Sequence, residues 1–435
     1  MGKAEKFKEL SRRYYRQRSV QKALLETAKQ REVVPRYYDS FGKRPDILLY
    51  EGDIRSLVER GATSFHCSEE RWEDPLKLKA GLSKQELDEL RVGWDLLIDV
   101  DCKFIEYSKV AAALLRDALY FHKIQTFGVK FSGGTGFHFC VASEAFPKEI
   151  SGKAMKYYFP DGARAILDYL SEMIKPKLSS RIEDLDSIRE ISEKTGKSEK
   201  ELTWRGKPNP YLRGSHLDTV AAYSILNLDA GLISSRHLFR MPFSLNEKTS
   251  LVSVVIPPRI IEKFNPKVAK PSDFIRYREF IKVPEEEEGR ELLIQALDWK
   301  KKVRMIEPSE KRIIEIKGKV KDDEFPPCIR KALEGIKKDG RKRCLFILIN
   351  FFRSINLPPE EIGRRLQEWN QRNYKLLSEN YLQTQISWHT RQEKKFPPPN
   401  CDHPSYKEIG IYTPECERMK NPLSYVARRM RMRKR

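Results

Sequence analysis

The 435-residue sequence has no apolar run approaching the ~20 residues that span a bilayer, and no CxxC pair among its seven cysteines. The first absence argues against a membrane-spanning helix. The second, with an odd cysteine count in a chain expected to be intracellular, argues against a disulfide framework. Residues 1–18 are charged throughout and lack an apolar stretch of the signal-peptide kind, so a soluble protein without a membrane partner is expected. No internal repeat is visible. Cysteine is missing between Cys140 and Cys328, while Cys328, Cys344, Cys401 and Cys416 crowd the last quarter of the chain.

Positive charge, by contrast, is abundant. Lys and Arg number 83 against 62 Asp and Glu, a formal net charge of +21. Such an excess favours a polyanionic partner, nucleic acid first, although a merely basic, solvated surface gives the same sum. A hydrophobic share of 40% allows real cores, and the length suggests two or three domains.

The pattern along the chain predicts α+β architecture with mixed sheets and helices, followed by a mostly helical region. Residues 1–45 read as helical and basic, with Leu10, Tyr14 and Tyr15 near one face. TSFHCSEERW (63–72) reads as a strand and turn. VGWDLLIDVDCKF (92–104) has the apolar density of a buried strand, and an Ala- and Leu-rich helix follows it. TFGVKFSGGTGFHFCVA (126–142) reads as strand, glycine turn, strand. A helix around 161–174 precedes a polar stretch, 175–207, read as a surface excursion. A first domain over 1–283, a connection over 284–323, a helical domain over 324–427 and a basic tail over 428–435 complete the expectation.

Asp99 and Asp101 lie two apart in a strand, so both project from one face while Ile98 and Val100 point into a core. Adjacent carboxylates repel unless a cation neutralises them, and oxygen ligands suit Mg2+ or Mn2+. Surface strands also carry such pairs. The turn Ser132-Gly133-Gly134-Thr135-Gly136-Phe137-His138 offers backbone N–H groups to an anion, with Ser132 and His138 as side-chain donors. An ordinary hairpin with a core histidine would read the same way. Asp229 ends the apolar run ILNLD, and Arg240, Ser244, Lys248 and Thr249 follow it. Cationic and hydroxyl groups close after a third carboxylate suit a nucleoside triphosphate with its metals.

The ordered set DVD, SGGTGFH and LD followed by HLFRMPFSLNEKT resembles the small catalytic subunit of archaeal and eukaryotic primases, over roughly residues 8–265. The resemblance implies an archaeo-eukaryotic primase, RRM-like catalytic core. It also implies a two-metal mechanism in which Asp99, Asp101 and Asp229 hold the ions. Ser132, Gly133, His138, His237, Arg240, Ser244 and Lys248 would bind the nucleotide. Two departures stand out. Asn246 replaces a histidine that many members carry, and no Cys/His zinc knuckle is encoded beside the catalytic motifs.

Beyond residue 320, FPPC at Cys328, GRKRCLFILINFF, PPPNC at Cys401 and PEC at Cys416 resemble the C-terminal domain of the primase large subunit, over about residues 324–427. That resemblance implies a 4Fe–4S cluster on widely spaced cysteines, here Cys328, Cys401 and Cys416. Tyr412 stands where the family has its third cysteine. Cys344 falls at a non-ligand position, His403 is a further candidate ligand, and packed thiols without metal remain an alternative. Arg341, Lys342, Arg343, His389 and Arg391 are the residues available to hold template and first nucleotide. The whole implies a nucleoid-associated, cytoplasmic DNA primase acting on single-stranded DNA with NTPs or dNTPs, in company with replication proteins. A gap-filling or plasmid-type polymerase that only extends primers, and a non-catalytic single-strand binder, are the competing readings.

Overall fold

The computed structural model describes residues 2–208, 216–228, 230, 233–272, 276–284, 287–306, 316, 318–391, 395–419 and 421–433, with backbone alone at 205–208, 216–218 and 304–306. It divides into two units, residues 1–307 and 308–435.

The run LLIDVDC forms the strand Leu96–Cys102, and its alternation sets the plan of the first unit. Leu96, Ile98 and Val100 are fully buried on one face, in a core shared with the helix Ile105–Phe121. Each such aliphatic side chain contributes about 1.5–3 kcal/mol through burial. That helix packs on the helix Asp161–Glu183, which in turn packs on the helix Arg290–Ile306. Leu97 and Cys140 point the other way, into a second core with Phe65, Cys67, Phe239 and Met241.

Among the described residues the central sheet has five antiparallel strands, in the order Leu226–Asn227, Leu96–Cys102, Phe137–Val141, Gly128–Phe131 and Val255–Ile256. A second antiparallel sheet runs Leu238–Arg240, Ser64–Ser68, Val33–Tyr37 and Ser40–Phe41. The central sheet therefore has helices on one face and the second sheet over the other. The fold is mixed α/β, as its pattern predicts.

The second unit is helical. Four of its helices, Pro327–Leu333, Pro359–Gln371, Pro404–Glu408 and Pro422–Arg433, begin on a proline. Proline is pre-set for the first helical position and lacks only an N–H that would go unpaired there. The first, second and fourth of these pack on the helix Arg341–Ser354. From Cys344 onward that helix is buried except at Phe346, with Leu345, Ile347, Leu348 and Phe351 at the centre of the core.

Four expectations are corrected. Residues 33–41 form two strands rather than helix, because the β-branched pair Val33-Val34 and a reversal at Tyr38 (φ +58°) place them beside Ser64–Ser68. The stretch 175–207 is not a surface excursion, since Leu178, Ile182, Ile191 and Leu202 reach the main core from helices. Helix Arg290–Ile306 belongs to the first unit rather than to a connection, because Leu292, Leu293 and Ala296 are buried in its core. Residues 428–433 continue the helix Pro422–Arg433 rather than trailing as a tail; Met430 is buried and Arg433 Nη1 donates to Glu324 at 3.1 Å.

Candidate active site

Period-two alternation carries Asp99 and Asp101 to the face of the central sheet that looks toward the second sheet. Asp99 stands directly opposite His138, and His138 directly opposite Lys130, across three adjacent strands. His138 Nε2 lies 3.4 Å from Asp99 Oδ1, and its Nδ1 lies 3.2 Å from Lys130 Nζ. Lys130 Nζ also donates to Ser253 Oγ at 2.9 Å. The result is one polar row, Asp99–His138–Lys130–Ser253, beside the apolar Leu97 and Cys140 of the same sheet face.

Burial and the neighbouring Asp101 charge push the Asp99 carboxyl up to about 6. Its side chain is nevertheless 44% exposed, because the cleft opens over it while protein surrounds its other sides. Burial pushes the Lys130 ammonium down to about 7, against the pull of Asp99. Burial, then Lys130 and Arg240, hold His138 well below its ordinary value. A neutral ring accepting from Lys130 at Nδ1 carries its proton at Nε2, an assignment that follows from the hydrogen-bond network.

A cleft of about 250 Å³ opens beside this row, lined by Asp99, His138, His237, Arg240, His66 and Phe41 among others. His66 and Arg240 come from the second sheet, where they are paired opposite each other. Arg240 is anchored by Glu247 at 3.1 Å and by the Leu245 carbonyl. His66 Nδ1 and Glu69 Oε1 are buried without a hydrogen-bond partner among the described residues. Both residues contribute to the cleft wall, while these two atoms themselves are turned away from the open space and buried in the protein.

The glycine turn is held close to the aspartate strand. A Cβ on Gly136 would collide with the Val100 carbonyl oxygen, and Gly133 has φ +83°. Both positions need glycine. Ser132 Oγ accepts from the N–H groups of Gly134 and Gly136, each at 3.2 Å. Those two N–H groups, expected to face an anion, are thus turned inward on the serine. Thr249 donates to the Gly133 carbonyl, so the segment 246–250 lies against the turn and sets exposed Lys248 near it.

Ser244 is not in the cleft. It is fully buried, accepts from Phe65 N–H at 2.8 Å, and lies 3.2 Å from the Tyr15 hydroxyl. Asp229 lies outside the described residues; Asn227, earlier in the same segment, is paired opposite Asp101. The sequence reading misses Lys130 and His66. A charged residue between Val129 and Phe131, and an imidazole inside SFHCS, are the available signals.

In the second unit Cys328, Cys401 and Cys416 converge, with all three Sγ atoms within 4.8 Å of one another and all three side chains buried. Cys344 is buried but outside this group. His403 caps the helix Pro404–Glu408, its Nδ1 2.7 Å from Ser405 Oγ. Tyr412 is not among the converging groups; Lys407 lies over its ring at 5.2 Å. Three donors this close do not fit a four-iron cluster, which places each thiolate on a separate iron and interposes sulfide between them. Of the expected template contacts, Arg341 lies over Tyr374, Lys342 over Tyr381, and Arg343 pairs with Glu408. His389 is buried, whereas Arg391 is exposed.

No known protein family's profile matches the chain. Over 149 residues it is 24% identical to an uncharacterized protein of Methanocaldococcus jannaschii, a match covering 33% of this chain and 31% of that protein. The chain thus spans about a third of the length of that relative. A solved structure, the polymerase domain of Mycobacterium tuberculosis ligase D in complex with DNA, is similar with a TM-score of 0.31 and 14% identity. The superposition covers 67% of this chain and 88% of that domain. A likeness that loose carries no argument about fold or activity. No helix among the described residues is long and apolar enough to cross a membrane.

Proposed function

We propose that the first unit is a metal-dependent nucleotidyltransferase of the primase–polymerase type, with an RRM-like core, acting on a single-stranded DNA template. The observation that carries the reading is the row Asp99–His138–Lys130 beside Asp101, opening on a cleft with Arg240 and His237. A carboxylate on the cleft wall, a second one two residues along the same strand face, and cationic or imidazole groups along the wall suit a triphosphate with its counterions.

Asp99 and Asp101, together with Asp229, would hold Mg2+ or Mn2+, which when bound acidify a hydroxyl nucleophile and neutralise a leaving pyrophosphate. The raised Asp99 carboxyl fits this role, since a cation is what the repelling pair lacks. His138 offers Nε2 beside the carboxylates, with Lys130 fixing the ring from behind. Arg240 and His237 on the cleft wall, and Lys248 beside the glycine turn, would contact phosphate oxygens, with Leu97, Leu238 and Phe239 as the apolar part of the wall. In this reading the second unit assists chain initiation, and the substrates are NTPs, dNTPs or both.

The test is incubation of purified protein with single-stranded or primed DNA, labelled nucleotides and Mg2+ or Mn2+, with product sizing. New chains on bare template define a primase, whereas extension alone defines a primer-dependent polymerase. Template binding without any synthesis defeats the reading and leaves a single-strand binder.

A further inference from the structure

Three of the four cysteines in the second unit gather, and they do so from segments far apart in sequence. Cys328 sits at the start of the helix Pro327–Leu333, Cys401 follows the proline-rich run 397–400, and Cys416 lies in the single turn Pro414–Arg418. All three are buried free thiols. Simple apolar packing does not single out these three, because Cys344 is equally buried in the same core and stays outside the group.

We propose that Cys328, Cys401 and Cys416 form a site for one thiophilic divalent ion, zinc in the first place, and not for an iron–sulfur cluster. A tetrahedral ion with Zn–S bonds of about 2.3 Å holds its sulfurs about 3.8 Å apart. Sulfurs already within 4.8 Å of one another need to close by no more than about an ångström to reach that geometry. A cluster would require them to separate and would leave one iron without a protein thiolate. Three thiolates leave the fourth tetrahedral position to a water or a small anion. Thr413 Oγ1, 3.5 Å from Cys416 Sγ, supplies an outer hydrogen bond of the kind that orients metal ligands. Binding releases the thiol protons, so retention weakens as pH falls. The ion would tie together three chain segments and so stabilise this unit.

The inference does not depend on the polymerase reading, because its readout is metal content rather than synthesis. The intact chain, purified anaerobically without chelators and freed of any metal-binding tag, is analysed for zinc, iron and acid-labile sulfide. About one zinc per chain, a colourless protein, and tetrahedral cobalt bands after Co2+ replacement are expected. Cys401→Ser and Cys416→Ser should lose the zinc, while Cys344→Ala should keep it. Iron with sulfide and absorption near 400 nm, a wavelength given as roughly that of such clusters, would overturn the proposal. So would a wild-type chain free of both metals, or zinc retained in full by the Cys401→Ser/Cys416→Ser double variant. The wild-type measurement decides even if the serine variants fail to fold.

Discussion

Lys130 and His138 face each other across neighbouring antiparallel strands, with Nζ 3.2 Å from Nδ1. Lys130 is fully buried and is not among the cleft-lining residues, so in the proposed reaction it would act through His138 as a positioning residue. Removing its charge relieves one of the influences that hold the imidazole below its ordinary value. Lys130→Met should therefore raise the His138 pKa, followed by NMR titration of the ring, and slow synthesis about tenfold. A loss of one charge-assisted contact, about 1.5–3 kcal/mol, has at least that consequence. An unmoved His138 titration would show that the two side chains are not coupled.

Asp99→Asn and Asp101→Ala should abolish synthesis while leaving single-strand affinity nearly intact. Affinity for a nucleic acid rests mainly on Lys and Arg contacts to phosphates, not on these carboxylates. Near-normal synthesis by either variant, measured by primer extension, would remove the pair from the chemistry.

His138→Ala and Lys248→Ala should raise the nucleotide requirement about 10- to 100-fold, from the loss of a charge-assisted or polar contact. Ser244→Ala should behave differently. It leaves the buried Phe65 N–H unpaired, at a cost of about 1–3 kcal/mol, and so should lower the melting temperature without changing the nucleotide KM. A raised KM in Ser244→Ala would place that hydroxyl at the substrate after all.

Truncation separates packing from function. A chain ending after Pro284 loses the helix that buries Leu292, Leu293 and Ala296, and should be poorly soluble. A chain ending after Glu307 keeps that helix and should extend an annealed primer. It should initiate poorly, because starting a chain requires two nucleotides and a template to be held without an existing duplex, and a second tethered unit lowers that entropic cost. Equal initiation by the 1–307 chain would remove initiation from the role of the second unit.

Glu32 is held by Arg44 and Arg236 with its side chain fully buried. The two guanidiniums keep its carboxyl below the ordinary value despite the opposing effect of burial. A depressed carboxyl stabilises the fold above its unfolded pKa, about 4.3, and that stability is lost as pH falls through the folded value. Glu32→Gln should cost about 3 kcal/mol at pH 7, the low end for a broken buried pair because both arginines can reach water. The difference from wild type in thermal melting should shrink below about pH 4. A difference independent of pH would mean that charge plays no part.

Residues a few places apart legibly encode what is periodic. Two carboxylates on one strand face, the hairpin with its glycines and the Ala- and Leu-rich helix are all readable, because backbone geometry fixes them locally. Which strands become neighbours, and in what register, is not. Lys130 joins Asp99 and His138 only because three strands pair in one register, and His66 meets the cleft only because a second sheet covers the first. Ser244 follows Arg240 by four residues yet is turned into the core, since Tyr15 and Phe65, distant in sequence, claim its hydroxyl. Cys328, Cys401 and Cys416 are spread over nearly 90 residues, and packing alone brings their sulfurs together while leaving Cys344 aside. Local sequence determined the chemical groups and the faces they occupy; long-range packing decided which of them meet.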